Sequence, residues 1–290
     1  MFTGCGTALV TPFKKDLSLD EDAVRRLARR QVGAGISFLV PCGTTGESPT
    51  LTHEENDEVT AAVVRRAKGR IPVMAGTGSN STAEALEMTR NARKNGADGA
   101  LQVVPYYNRP TQEGLFQHFS LLAREVDFPQ VIYNIPGRCG VEMSVDTIVR
   151  LRETHKNIVA VKHATGSMDG ASELRVRSDI EIISGDDSMT LPLMAIGGVG
   201  VISVLANIVP KDVKALTDAA LHGDWETARQ WHLKMFKLAK GLLTLEVNPI
   251  PIKTAMAIKG MLAEELRLPL CRMNPANREK LQAVMKEYGI

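Results

Sequence analysis

Apolar residues come along this chain in short runs, separated by longer stretches whose apolar positions recur at helical spacing. The runs occupy residues 6–13, 37–41, 72–75, 100–105, 130–135, 158–161, 180–183 and 199–205. Runs this short, with few polar interruptions, predict strands buried on both faces. The stretches between them carry helix punctuation. Asp20-Glu21-Asp22 puts acids into a first turn, where the helix dipole favours them. Thr52-His53-Glu54-Glu55 and Ser81-Thr82-Ala83-Glu84 both fit a capping box. Gly33, Gly35 and Gly96 stand where helices stop.

Eight buried strands alternating with helices predict a parallel sheet, and eight units in about 220 residues predict a (β/α)8 barrel, an α/β fold. A doubly wound sheet would carry a GxGxxG turn after its first strand, and Thr11-Pro12-Phe13 is no such turn. The barrel is expected over residues 1–223. Residues 224–290 read as a small C-terminal appendage of three helices, at 224–243, 249–262 and 275–287. The charge-free stretch 188–210 is long enough to mimic a membrane span, but Pro192, its glycines and the lack of flanking basic or aromatic belts predict a short helix followed by a strand.

Charge and cysteine usage remove whole classes of function. With 35 Lys+Arg against 33 Asp+Glu the net charge is +2, which offers no field for nucleic acid and no polybasic membrane patch. Cys5, Cys42, Cys139 and Cys271 form no CxxC pair, and the six histidines form no HExxH, so no metal and no disulfide framework is expected. The first residues lack a basic segment followed by an apolar one, so no secretory signal is expected, and reduced thiols suit a cytoplasmic protein.

Lys162 changes the picture most. It ends the run Ile158-Val159-Ala160-Val161, so its amine would emerge where a buried strand meets its loop. Burial disfavours the ammonium form, and a neutral amine can form a Schiff base with a carbonyl compound. A lysine snorkelling to solvent from a strand end is the plain alternative. The active site of such a barrel lies at the carboxyl ends of the strands. There the chain places Gly43-Thr44-Thr45-Gly46-Glu47, Tyr106-Tyr107, Tyr133-Asn134-Ile135-Pro136 with Arg138, and Ser184-Gly185-Asp186-Asp187. Asp186-Asp187 suits a helix cap better than a metal site. An amine, phenols, hydroxyls and one guanidinium together suit imine chemistry on a small keto acid.

Those motifs, with Val161-Lys162-His163-Ala164-Thr165-Gly166, Pro105-Tyr106-Tyr107-Asn108-Arg109-Pro110 and Gly200-Val201-Ile202-Ser203, resemble the dihydrodipicolinate synthase family, in the N-acetylneuraminate lyase group of class I aldolases. The resemblance runs over nearly the whole chain. It implies a cofactor-free lyase that condenses pyruvate with aspartate semialdehyde, at the first committed step toward diaminopimelate and lysine. Lys162 would form the imine. Tyr133 would move protons at the carbonyl oxygen, relayed through Thr44 to Tyr107, which in the family comes from a neighbouring subunit. Thr44 and Thr45 would hold the pyruvate carboxylate, Arg138 the carboxylate of the aldehyde, and Gly185 and Ile202 would line the pyruvate pocket. A homotetramer is expected.

Arg138 favours the short acidic aldehyde over the sialic acid or keto-deoxy sugar acid of related lyases, the nearest rival reading. A barrel that binds a keto acid without turning it over would lack at least one of Lys162, Tyr133, Thr44 and Tyr107, and all are present. His163 replaces the acid that most relatives carry there, and strand alternation turns it away from the side Lys162 faces. Positions matching a lysine-effector site are Ser48, His53, Asn80, Glu84 and Tyr106. Pro49 and Asn56 depart from the strongly inhibited pattern, so weak to moderate inhibition by L-lysine is expected. Glu84 also has a structural role open to it, as the third residue of its capping box.

Overall fold

The computed structural model describes residues 1–290. Its strands are β1 (Gly4–Ala8), β2 (Phe38–Val40), β3 (Met74–Gly76), β4 (Gly99–Val103), β5 (Gln130–Asn134), β6 (Ile158–His163), β7 (Glu181–Ser184) and β8 (Gly200–Ser203). Every strand pairs in parallel with its neighbours, in the order β2-β1-β8-β7-β6-β5-β4-β3. The ring closes between β2 and β3 through a parallel bridge from Leu39 to Val73, with Leu39 N donating to Pro72 O at 3.0 Å and Gly76 N to Pro41 O at 2.9 Å. The predicted (β/α)8 barrel is therefore the observed fold.

Helices α1 (Glu21–Gly33), α2 (His53–Ala67), α3 (Thr82–Lys94), α4 (Gln112–Glu125), the single turn α5 (Pro136–Cys139), α6 (Val145–Thr154), α7 (Met168–Arg177), α8 (Thr190–Ala195) and α9 (Pro210–Leu221) occupy the connections. After α9 come α10 (Trp225–Thr244), α11 (Ile250–Ile258) and α12 (Pro275–Tyr288), with α10 packed on both α9 and α12. No helix is long and apolar enough to cross a membrane.

Two cores result from strand alternation. Inward-facing residues, among them Ala8, Val40, Met74, Leu101, Val131, Ala160, Ile183 and Ile202, fill the barrel. Phe2 joins this cluster and meets Phe38 edge to face at 5.5 Å. Gly6 makes room for that ring, because a Cβ there would lie 2.1 Å from Phe38. Outward-facing residues pack under the helices, as Ile132, Val161 and Ile182 do with Leu115, Phe119, Ile148 and Leu174.

Local differences from the sequence reading have identifiable causes. The first strand runs over Gly4–Ala8 and not to residue 13, because the Asn207 side chain takes over the ladder: its Oδ1 accepts from Val10 N at 3.2 Å and its Nδ2 donates to Ala8 O at 2.7 Å. Strand β8 stops at Ser203 and not at 205, since the Asp187 carboxylate accepts from the N–H groups of Val204 and Leu205. Helix α11 ends at Ile258 and not at 262, before Gly260 at φ +66°. The Thr52–Glu55 capping box forms in full. The Ser81–Glu84 box is only half made. Ser81 Oγ accepts from Glu84 N, but the Ser79 hydroxyl satisfies Ser81 N at 3.1 Å and also donates to the Glu84 carboxylate at 2.8 Å.

Candidate active site

Strand register builds the site from the barrel wall. Lys162 pairs laterally with Tyr133 on β5 and with Ile183 on β7, so its side chain shares the barrel interior with theirs. Lys162 is 6% exposed and its Nζ lies 3.9 Å from the centroid of the Tyr133 ring, with no carboxylate in contact. Burial lowers its pKa to about 7; the charge of Asp187 works against this and that of Arg138 adds to it. Roughly half of the amines are then neutral at pH 7, against fewer than about one in a thousand for an ordinary lysine. The ring quadrupole attracts the remaining ammonium without taking its proton.

The Tyr133 phenol is itself pushed up to about 12 by burial, opposed by Arg138 and the Thr44 hydroxyl. It therefore keeps its proton near neutrality and can lend it. Gly185 leaves space for the lysine chain, because a Cβ there would lie 3.2 Å from Lys162 Cε and 2.7 Å from the Ala164 Cβ. Ile202 is buried in the same interior cluster as Tyr133.

Thr44 and Thr45 lie on a single 3-10 turn, Thr44–Gly46, directly after β2. The turn is fixed from outside: Thr11 Oγ1 donates to Gly46 O at 2.6 Å, and Asn248 Nδ2 donates to Thr45 Oγ1 at 3.0 Å. Arg138 projects from α5, exposed, and its Nη2 donates to the Asn248 carbonyl at 3.1 Å. A cleft of about 340 Å³ has Thr44 and Arg138 in its lining together with Ser48, His53, Glu84 and Tyr106. Four of the five candidate effector residues thus line the same cleft as two of the candidate substrate ligands. Asn80 is outside that lining, and its carbonyl is taken by Asn108 Nδ2 at 2.9 Å. Pro49 and Asn56 also line the cleft.

One expected catalytic residue is not brought to the others within the chain. Tyr107 is 89% exposed at φ +70°, standing out from the rim. Sequence reasoning misread one residue of this rim and missed another. Asp186 is a cap, as expected, accepting from Ser188 N at 2.7 Å. Asp187 is no cap. It is buried, accepts from Ser203 Oγ and two backbone N–H groups, and is pushed up to about 6 by its desolvation. The other is Asn248, 203 residues from the threonine it bonds, a separation that no local pattern spans. His163 lies behind the barrel wall, as alternation requires, its Nε2 within 2.9 Å of Ser167 O and 3.0 Å of Thr165 Oγ1.

A buried amine that loses its proton near neutrality, a phenol against it and paired hydroxyls at the rim define a (β/α)8 barrel equipped for imine chemistry. The chain belongs to the dihydrodipicolinate synthetase family, whose model matches residues 1–288. It is 54% identical over 292 residues, all of both chains, to the 4-hydroxy-tetrahydrodipicolinate synthase of Geotalea uraniireducens (strain Rf4). The crystal structure of dihydrodipicolinate synthase from Aquifex aeolicus superposes with a TM-score of 0.97 at 51% identity, covering 99% of this chain and 98% of that one. The enzyme from Cyanidioschyzon merolae with lysine bound superposes at 0.96 and 38% identity, covering 99% and 98%.

Proposed function

We infer that this protein is a lyase that condenses pyruvate with aspartate 4-semialdehyde through a Schiff base on Lys162, giving 4-hydroxy-tetrahydrodipicolinate. The observation that carries the reading is the Lys162 amine, buried beside Tyr133 with no acid in contact and titrating at about 7. Family membership supports the choice of substrates.

The neutral amine attacks the keto carbon and forms a carbinolamine. Tyr133 gives its proton to the departing oxygen, which leaves as water, and the C=N bond forms. Loss of a methyl proton from the imine to the Tyr133 phenolate gives an enamine, whose carbon adds to the aldehyde carbon of the second substrate as the new alkoxide takes that proton. The amino group of that substrate then attacks the imine carbon, closing the ring and releasing the Lys162 amine. Thr44 and Thr45 hold the pyruvate carboxylate, Gly185 and Ile202 shape its pocket, and Arg138 takes the carboxylate of the aldehyde with a planar fork that a lysine could not copy. Tyr107 completes the proton relay from a second copy of the chain, which accounts for its exposure. The working form is therefore an oligomer, a homotetramer by the family's pattern, acting in the cytoplasm. Residues 1–223 form the catalytic barrel and 224–290 a helical region that braces it.

Incubation with pyruvate and borohydride, followed by peptide mapping, tests the mechanism. The expected product is a reduced adduct on Lys162, and an adduct elsewhere or none would overturn it. L-lysine binds at the Glu84 side of the cleft and inhibits weakly to moderately. The Glu84 carboxylate, freed from its capping box, is the counter-charge for the ammonium group of the inhibitor. A flat activity curve with millimolar lysine would dispose of this part.

A further inference from the structure

We propose that Asn248, from the segment between α10 and α11, is a positioning residue that sets the donor direction of Thr45 and ties Arg138 to it. This rests on the roles given above to Thr45 and Arg138.

The turn after β2 and the turn α5 after β5 belong to strands that do not pair with each other. Asn248 is bonded to both: its side-chain amide donates to Thr45 Oγ1 at 3.0 Å, and its backbone carbonyl accepts from Arg138 Nη2 at 3.1 Å. A hydroxyl has one proton to give. Because Thr45 Oγ1 accepts from Asn248, its own proton remains available for the carboxylate of the keto acid. Arg138 has five N–H donors, and one bond to Asn248 fixes the plane of the guanidinium while leaving the others for a carboxylate. Asn248 Oδ1 is buried without a partner. An orphaned buried acceptor costs about 1–3 kcal/mol, so fold stability alone does not account for an amide here.

The isosteric acid separates positioning from packing. Asn248→Asp keeps shape and volume, but its carboxylate accepts the Thr45 proton and turns it away from the substrate. Asn248→Ala removes the side-chain contact and leaves the backbone bond to Arg138. Loss of one neutral hydrogen bond should raise KM for pyruvate about threefold to tenfold in the alanine variant, with kcat held within about twofold and KM for the aldehyde less affected. The aspartate variant should raise KM for pyruvate further than alanine does. A purely structural residue would give the reverse order, since the isostere would be the milder change, and that order would overturn the proposal. Should the aspartate chain fail to fold, Thr45→Val with and without Asn248→Ala carries the test: strongly sub-additive effects support coupling through Thr45, and additive effects overturn it. Borohydride trapping of pyruvate on Lys162 in the unmutated enzyme keeps the two readings apart. If it fails, the Schiff-base reading has failed; if it succeeds and the order of variants is reversed, only the positioning role has.

Discussion

Two lysines are buried in this molecule, and they have opposite fates. Lys253 on α11 is 0% exposed, yet its Nζ donates to Glu47 Oε1 at 2.5 Å and to Thr11 O at 2.9 Å, and it lies 4.4 Å from the Phe13 ring. The other Glu47 oxygen accepts from Arg267 N at 3.1 Å, and the Arg267 guanidinium pairs with Glu55. Lys162 is nearly as buried, but its neighbours are a phenol ring and barrel aliphatics. Desolvation lowers the pKa of both; at Lys253 the charge and hydrogen bond of Glu47 oppose it directly. Asp187, the acid that acts on Lys162, spends its oxygens on Ser203 and backbone N–H groups instead of on the amine. A buried lysine with an acid in contact is an ammonium strut. One without such an acid gives up its proton near neutrality, as the proposed Schiff base requires.

That contrast is easiest to break at Lys162. Lys162→Met should lower kcat by about a thousandfold or more, since no other group supplies the covalent step. Lys253→Met should leave the chemistry in place and cost stability, because it strands Glu47 without its counter-charge. Removing one member of a buried pair costs about 3–5 kcal/mol, whereas Lys253→Met combined with Glu47→Gln should recover much of that in denaturant melts. An additive double variant would mean that Glu47 and Lys253 are not coupled. Tyr133→Phe should keep the ring beside the amine and lose the proton, lowering kcat by about a hundredfold in steady-state assays with a smaller change in KM.

The two lysines should also differ in how they couple stability to pH. The folded-state pKa of Lys162, about 7, lies below the ordinary lysine value of 10.5. Between those values the unfolded chain holds the proton and the folded chain has released it. By linkage, the lysine's contribution to stability then rises with pH across that window, and its burial is most costly below pH 7. Lys162→Met should therefore gain thermal stability over the unmutated protein at pH 6, and the gain should shrink toward pH 10. A gain that does not vary with pH would contradict the assigned titration.

How much of this could be read from sequence follows from the range of each signal. Lys162 was legible because its burial is declared locally, by the four apolar residues Ile158-Val159-Ala160-Val161 before it. The eight strands were legible for the same reason, and their ends were not. At β1 the Asn207 side chain substitutes for a ladder partner, and at β8 the Asp187 carboxylate does so. Glu84 was open to two readings because the competitor for Ser81 N was Ser79, a residue that the capping-box pattern does not include. The Glu47–Lys253 pair and the Asn248–Thr45 bond join residues 206 and 203 positions apart, so only the closed fold reveals them.

The most direct test of the central claim is the pH dependence of Lys162 modification by an amine-directed reagent, mapped residue by residue, with Lys253 as internal control. Half-maximal reactivity of Lys162 is expected near pH 7, with no modification of Lys253 in the folded protein. A Lys162 midpoint near 10.5, or equal reactivity of the two lysines, would contradict that claim.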